Sequence, residues 1–412
     1  MVAALSFSGK TRSVNLKNEA LQPMFRINRF QAIFRPLPQQ SFERIVAEHG
    51  ADKHSKGFSC WHQLLALVYA QLSNASSLRT LEAGFNSNLG GHYHLGARPV
   101  RRSTLAEALG KRSPDVFAQA ARLLMTQAKR SLRRDAGELL YLLDSTAISL
   151  KGQGFDNWAP ALRSSRIQGL KLHLLMSNTD SLPLMHSITP AKVNDVSEGV
   201  KLPLEPGAVY VFDKGYCDYS WWHRMQEAGS LFVTRFKRNA ALALEQTQPL
   251  DPQVPHILAD EWVRFNNRKP GGGRQNPYRR ALRRITVARE GKTPLVLATN
   301  DMHSPAALIA QRYQQRWGIE LFFKWIKQHL RIKSFLGRSE TAVHTQILTA
   351  LIAYLLLHLL GQAQGSKQSL WMLLAQLRMG GLFVRPETDI SYYRRRRQEA
   401  QALAQVQAVL FP

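Results

Sequence analysis

ELLYLLDSTAISL, residues 138–150, marks the point where the pattern of this 412-residue chain changes. Before it, apolar residues recur at helical spacing; from it onward they come in short runs. The stretch is itself an apolar run, broken by one acid, Asp144. A carboxylate inside or at the end of a core strand is unfavourable unless it is paired or sits on a metal. Next, RIQGLKLHLLMSN (166–178) and PLMHSITPAK (183–192) alternate like strands, and a short helix is expected after Asp195. GAVYVFDKGY (207–216) is a second apolar run ending in an acid, Asp213. YSWWHRMQEAG (219–229) reads as a helix and SLFVTRF (230–236) as a strand. The order predicts a mixed α/β sheet with both acids at one end of adjacent strands, a usual ligand site in such sheets.

Upstream, residues 25–135 read as helical. SFERIVAEHG (41–50) stops at Gly50, WHQLLALVYAQLSN (61–74) is apolar at helical spacing, SSLRTLEAGF (76–85) opens on cap residues, and in STLAEALGKR (103–112) Thr104 and Glu107 stand at capping-box spacing. Three short helices, with Arg101 and Arg102 opening the last, suggest a helix-turn-helix DNA-binding unit; a small bundle of another kind fits the same pattern. Lys129, Arg130, Arg133 and Arg134 form a basic run readable as a solvated linker. Residues 1–24 read as unstructured.

Downstream, residues 237–300 break the order. They hold the Pro-rich TQPLDPQVPHI (247–257), a glycine run at 271–273 flanked by arginines, and a strand, TPLVLATN (293–300). The glycines lack a strand-to-helix context, so they are no nucleotide fingerprint; they read as a flexible basic hairpin tip. Then comes YQQRWGIELFFKWIKQHLR (313–331). At about 100° per residue, Tyr313, Arg316, Glu320, Lys324, Lys327 and Arg331 share one face. Ile319, Leu321, Phe322, Phe323, Trp325 and Ile326 cover the rest, predicting a mostly buried helix whose polar stripe faces a cleft. Ser304 and Pro305 suit its start. Cations around Glu320 favour its ionised form, as a hard-metal ligand requires, and they suit phosphate. An amphipathic helix with an Arg316–Glu320 pair at i,i+4 is the plainer reading.

ILTALIAYLLLHLL (347–360) is too short for a comfortable membrane crossing and is expected to be a core helix packed on the sheet. The tail YYRRRRQEAQALAQVQAVL (392–410) reads as a helix with a basic head.

Lys plus Arg number 55 against 29 Asp plus Glu, a net charge of +26, which points to a nucleic-acid or anionic membrane partner. With the apolar segment assigned to the core, nucleic acid is left. Two cysteines, Cys60 and Cys217, exclude a disulfide framework or a Cys-based zinc site and suit a reducing cytoplasm. The N-terminus has no long apolar core and does not read as a signal peptide. Three carboxylates, Asp144, Asp213 and Glu320, gathered beside a cationic helix would suit two divalent metals about 3.5–4 Å apart in phosphoryl transfer.

Tyr313-x2-Arg316-x3-Glu320-x6-Lys327 resembles the Tyr-Arg-Glu-Lys signature of the fourth family of bacterial insertion-sequence DDE transposases. LLDSTAI around Asp144 and FDKGYCDY around Asp213 resemble that family's first two acidic motifs. KGFSCWHQLLALVYAQL and RRSTLAEAL resemble the helical N-terminal domain of one of its subgroups. The resemblance covers roughly residues 25–360. It implies an α/β, ribonuclease H-like catalytic domain with a β-rich insertion, preceded by an all-α N-terminal domain. The expected division is a disordered segment 1–24, a helical DNA-binding domain 25–135, the catalytic core in two parts (136–236 and 301–362), the insertion 237–300 and a basic helical tail 363–412. It also implies cleavage at the transposon ends and joining of 3′-hydroxyls to target DNA. Asp144, Asp213 and Glu320 would be catalytic ligands of two Mg2+ ions, with Mn2+ as a substitute.

In such enzymes Tyr313, Arg316 and Lys327 would contact DNA phosphate. Lys324, Arg331, Lys214, Arg101 and Arg102 are further candidate DNA contacts. Related enzymes hold a flipped base against an aromatic ring, for which Trp262 and Trp317 are candidates; packing within a small β unit explains Trp262 equally. His173 and His186 read as core residues. The expected partners are the double-stranded DNA of the ends and target, with a homodimer in the DNA complex, no membrane, and a cytoplasmic, nucleoid-associated location. A catalytically inactive, transposase-derived DNA-binding protein and a simple nuclease of the same fold are the competing readings.

Overall fold

A computed structural model describes residues 28–135, 138–159, 168–266, 276–365 and 368–384. The N-terminal segment, the glycine run at 271–273 and the tail at 392–410 lie outside the described residues.

Helices α1 (Arg29–Ile33), α2 (Gln39–Glu48), α3 (Cys60–Ser73), α4 (Leu78–Asn86), α5 (Arg102–Lys111) and α6 (Asp115–Asp135) come first. Local chemistry sets their ends. Ser59 caps α3 and Ser77 caps α4, each in a reciprocal box with the residue three positions on, His62 and Thr80. Gly50, at φ 57°, follows the end of α2. The expected box at Thr104 does not form: α5 begins earlier, at Arg102, and its N-cap Arg101 makes no side-chain cap. The basic run at Lys129 is not a linker but the last turns of α6, and Lys129 pairs with Glu205.

Nine strands follow: β1 (Leu140–Ser149), β2 (Gly169–Ser177), β3 (Pro183–Pro190), β4 (Val209–Phe212), β5 (Leu231–Arg235), β6 (Leu242–Thr247), β7 (Ile257–Phe265), β8 (Leu282–Arg289) and β9 (Lys292–Thr299). They form one sheet in the order β3-β2-β1-β4-β5-β9-β8-β7-β6. β1 runs antiparallel to β2 and parallel to β4, and β4 runs parallel to β5. The strands of 237–300 extend this sheet, because β9 pairs antiparallel with β5. Helices α7 (Asp195–Gly199) and α8 (Tyr219–Glu227) interrupt the strands, and α9 (Ala306–Gln315), α10 (Trp317–His329), α11 (Glu340–Ala363) and α12 (Leu370–Met379) close the fold.

Period-two alternation divides the core between the two faces of the sheet. Leu142, Val209, Val211 and Val233 share one cluster with α9, α10, α11 and the N-terminal helices. Tyr141, Leu143, Tyr210, Phe212 and Phe232 share the other with Trp221 and Trp222 of α8. Asp144 has the parity of Leu142 and Asp213 that of Val211, so both acids belong to the face that carries α10. β1 also runs on past Asp144, which sits in mid-strand rather than at the end of a run.

The strongly apolar segment is α11, long and apolar enough to cross a membrane by length and composition, with 83% of its most apolar window buried in the fold. It is packed by α3, α5, α6 and α12 and shares one core cluster with Leu142, Leu172 and Leu174 of the sheet. The expected single helix through Tyr313 is two, α9 and α10, separated at Arg316. Pro305, not Ser304, is the N-cap residue of α9, and it makes no side-chain cap.

Candidate active site

Strand register brings the first two acids together. The parallel pairing of β1 with β4 ends at Leu143 opposite Phe212. The next residues on the two strands are Asp144 and Asp213, so they stand side by side where the pairing stops. β1 continues beyond this point with only β2 beside it, Asp144 opposite Leu174. A notch therefore opens between the strands at the acids. α10 crosses it closely: a Cβ on Gly318 would lie 3.4 Å from the Leu142 side chain. This closeness presents Glu320, in the first turn of α10, to the same notch.

Arginines hold the carboxylates. Arg316, at the break between α9 and α10, donates to Asp144 Oδ2 at 3.2 Å and to Glu320 Oε1 at 2.5 Å. Its guanidinium lies 5.8 Å from the centre of the Tyr313 ring. The Tyr313 hydroxyl approaches Asp213 Oδ1 at 3.5 Å, and Arg235, the last residue of β5, donates to that same oxygen. Arg316 joins α9 to α10 with helical backbone angles, which leaves it at i,i+4 to Glu320 and within reach of Asp144.

The charge states follow from this packing. Burial pushes the Asp144 carboxyl up to about 6; the charges of Glu320 and Asp213 add to this, while the Ser145 amide and Arg316 oppose it. Burial acts the same way on Asp213, but the Arg235 hydrogen bond and charge outweigh it and hold that carboxyl below its usual range. Burial raises the Tyr313 phenol, so it stays a proton donor at neutral pH. Burial opposes the Arg316 charge, yet its bond to Glu320 raises its affinity for the proton further.

The donor set is hard carboxylate oxygen, the kind Mg2+ or Mn2+ takes. Among the described residues, no three acidic, histidine or cysteine side chains converge as they stand on one ion position. The guanidinium of Arg316 neutralises Asp144 and Glu320 instead. The set fits divalent cations in charge and chemistry once the arginines give up these oxygens.

Other sequence candidates fall in different places. Lys327 is half-buried on α10 and Lys324 is exposed there. Arg331 lies beyond the helix end, donating to Ser334 at 3.0 Å while its amide bonds Gln71, so it leaves the stripe. Leu321 and Trp317 are exposed, at 50% and 58%, so α10 is less enclosed than its composition suggests. Lys214 is exposed beside Asp213; Arg101 and Arg102 are exposed at the start of α5. Trp262 is half-buried in β7, across from Arg283. His173 is buried and bonds Thr189, as a core residue does; half-buried His186 is driven down to about 4, chiefly by burial.

Two residues were not singled out from sequence. Arg235 closes an apolar strand run next to the strand of Asp213, and that position was the available signal. Asp195 accepts from Ser145 at 2.8 Å and Lys171 at 3.1 Å, bracing the other face of β1; nothing in its local sequence marks it.

Residues 135–356 match the family described as the transposase DDE domain. The chain belongs to the DDE transposase family. Residues 27–98 match a second family, described as a domain of unknown function, DUF4372. A relative from Sinorhizobium fredii, named as transposase y4zB, is 40% identical over 62% of this chain and 70% of its own length. The named transposase of insertion sequence element IS5377 from Geobacillus stearothermophilus is 28% identical over 62% of this chain and 66% of its own. That of element IS4SA from Synechocystis is 25% identical, covering 65% and 74%. A solved piggyBac transposase synaptic complex with hairpin DNA aligns over 85% of this chain and 78% of its own at a TM-score of 0.45 and 9% identity, too distant to bear on the argument. As a DDE transposase, the protein is an enzyme of DNA transposition, a class that generally uses divalent metal.

Proposed function

We propose that this transposase binds the terminal inverted repeats of its insertion sequence, cleaves DNA there and joins the 3′ ends to target DNA. The observation that carries the reading is one guanidinium, that of Arg316, joining Asp144 to Glu320 beside the strand end that bears Asp213. The antiparallel β1–β3 unit joined to parallel β4 and β5 supports a ribonuclease H-like core, with β6 to β9 as its insertion. The Tyr-Arg-Glu-Lys spacing supports membership of the fourth insertion-sequence family.

Asp144, Asp213 and Glu320 would hold two Mg2+ ions, or Mn2+. When bound, such ions supply Lewis-acid activation of the attacking and leaving oxygens. The chain's own groups do the rest. Arg235 keeps Asp213 ionised and oriented. Arg316 neutralises the carboxylates of the free protein and turns to the DNA phosphate when they are otherwise engaged. Tyr313 donates its hydroxyl and Lys327 its charge to DNA phosphate near the cut. Lys324, Lys214, Arg101 and Arg102, all exposed, extend the contact along the duplex. Pairing two ends calls for a homodimer on DNA, and the work is done at the bacterial nucleoid.

The test is incubation of the protein with Mg2+ and DNA carrying the element's own ends. Strand transfer is expected. Binding without cutting would favour the catalytically inactive DNA-binding reading, and unselective degradation a simple nuclease.

A further inference from the structure

A second basic feature lies apart from the acids. Where β1 runs on past Asp144 with only β2 beside it, residues 147–150 form one wall of a cavity of about 470 Å³. The C-terminal half of α10 and the segment after it form the other wall. Four cations line it: Lys151, Lys327, Lys333 and Arg338. No carboxylate does, among the described residues. Elsewhere in the fold, the partly buried cations Arg235, Arg283, Arg312 and Arg316 each have a carboxylate partner. Lys327 is half-buried without one, and burial and the Lys333 charge both work against its protonation. Lys327, half out of water beside three exposed cations and no carboxylate, is a place where an anion relieves the repulsion. The remaining wall is apolar, with Phe155 and Phe335 rings 6.4 Å apart.

The position gives the anion its chemistry. Lys327 is seven residues beyond Glu320 on α10, a distance of about 10 Å along the helix. A strand running from the acids along α10 reaches the cavity within a few nucleotides. We propose that this cavity is a phosphate-binding subsite for DNA, holding one backbone phosphate of the strand that continues past the acids, with the sugar against Phe335. The inference rests on the reading of the acids as a DNA-cleaving site and shares Lys327 with it; the other three cations are new. The phosphate belongs either to the DNA of the element's end and flank or to target DNA.

The experiment uses the full chain with Lys151→Gln and Lys333→Gln combined. Both side chains are exposed, so the fold is not put at risk. Lys333→Glu alone is a second variant. Arg338 is left in place because it bonds the Gln153 carbonyl. Binding is measured against salt on three DNAs: a cleaved end, an end with flank, and an unrelated duplex offered to the cleaved-end complex. The double variant should weaken binding about tenfold and lower the salt slope by about 1. Loss on the end or flanked DNA identifies the donor strand; loss only on the unrelated duplex identifies target DNA. Unchanged slopes and affinities on all three overturn the proposal. Failure of the parent to prefer element ends would instead sink the transposition reading, since the salt slope on unrelated DNA still reports on the cavity.

Discussion

Two arginine–carboxylate clusters in this fold differ mainly in how far water reaches them. In the first, Arg283 grips Asp260 through two hydrogen bonds of 2.7 and 2.5 Å, both side chains under a tenth exposed. Arg283 also donates to the Ser304 carbonyl at 2.6 Å, and Arg312 pairs with Asp301 and Glu138. Asp301 in turn accepts from the amides of His303 and Ser304. These groups tie β7 and β8 to the loop before α9, with Arg283, Asp260, Asp301 and Arg312 buried and Glu138, 42% exposed, at the rim. The second cluster is the set around Arg316. There Asp144, Asp213 and Glu320 are 20%, 31% and 33% exposed. Identical chemistry thus has two settings: a closed cluster fixes the frame, while the open one leaves its carboxylates within reach of solvent, as the proposed exchange of its arginine for a cation and a phosphate requires.

The contrast breaks most sharply at Glu320. Glu320→Gln keeps the shape and removes the charge. Cleavage of end DNA should fall by about 10²–10³-fold or more, while a gel-shift measurement shows end binding retained; persistent cutting would show that the open cluster is not the chemical site. The closed cluster answers in stability instead. Asp260→Ala leaves Arg283 buried and unpaired, and denaturant unfolding should show a loss of about 3–5 kcal/mol. A loss comparable to that of an exposed pair would mean the cluster is not closed.

A subtler effect separates the clusters by pH. Asp144 sits at about 6 in the fold against 3.8 for an ordinary aspartate. The folded state therefore holds this proton more tightly than the unfolded one. Its contribution favours folding at acid pH and fades as pH climbs from about 4 to about 6. Asp144→Asn is free of that loss. It should match the parent below pH 4 and exceed it in stability by about 1–3 kcal/mol at pH 7–8. Equal stability of the two proteins across this range would contradict the assigned burial. The smallest effect belongs to the exposed pair Arg280–Glu227, each side chain more than half exposed. Arg280→Ala should change unfolding free energy by about 0.5 kcal/mol or less, and a larger shift would show that exposure is not what ranks these pairs.

Much of the open cluster was legible in sequence because its acids interrupt apolar runs. Asp144 and Asp213 stand out against Leu143 and Phe212, and Glu320 against the aromatics of α10. The mixed α/β character of the core and the adjacency of the two acid-bearing strands also follow from such runs. The closed cluster was not legible. Arg283 and Asp260 sit among other charges, in RRALRRIT and ADEWVRF, and nothing local says that these two face each other across β7 and β8. The break at Arg316 was hidden as well, because each half keeps helical spacing and Gly318, close to the junction, is tolerated within a helix. The cap at Thr104 failed for a related reason: capping spacing is necessary for a box, but where the preceding chain turns decides which residue starts the helix. Arg331 shows the same limit, since the wheel assumed a helix that stops at His329.

The central claim is that the three carboxylates touch the divalent ions themselves. A change of ligand softness tests it directly. Asp213→Cys and Glu320→Cys, assayed on end DNA, should be inactive with Mg2+ and regain cleavage with Mn2+, which accepts thiolate more readily. Equal activity of the variants with either ion, or full activity with Mg2+, would contradict direct coordination and the site built on it.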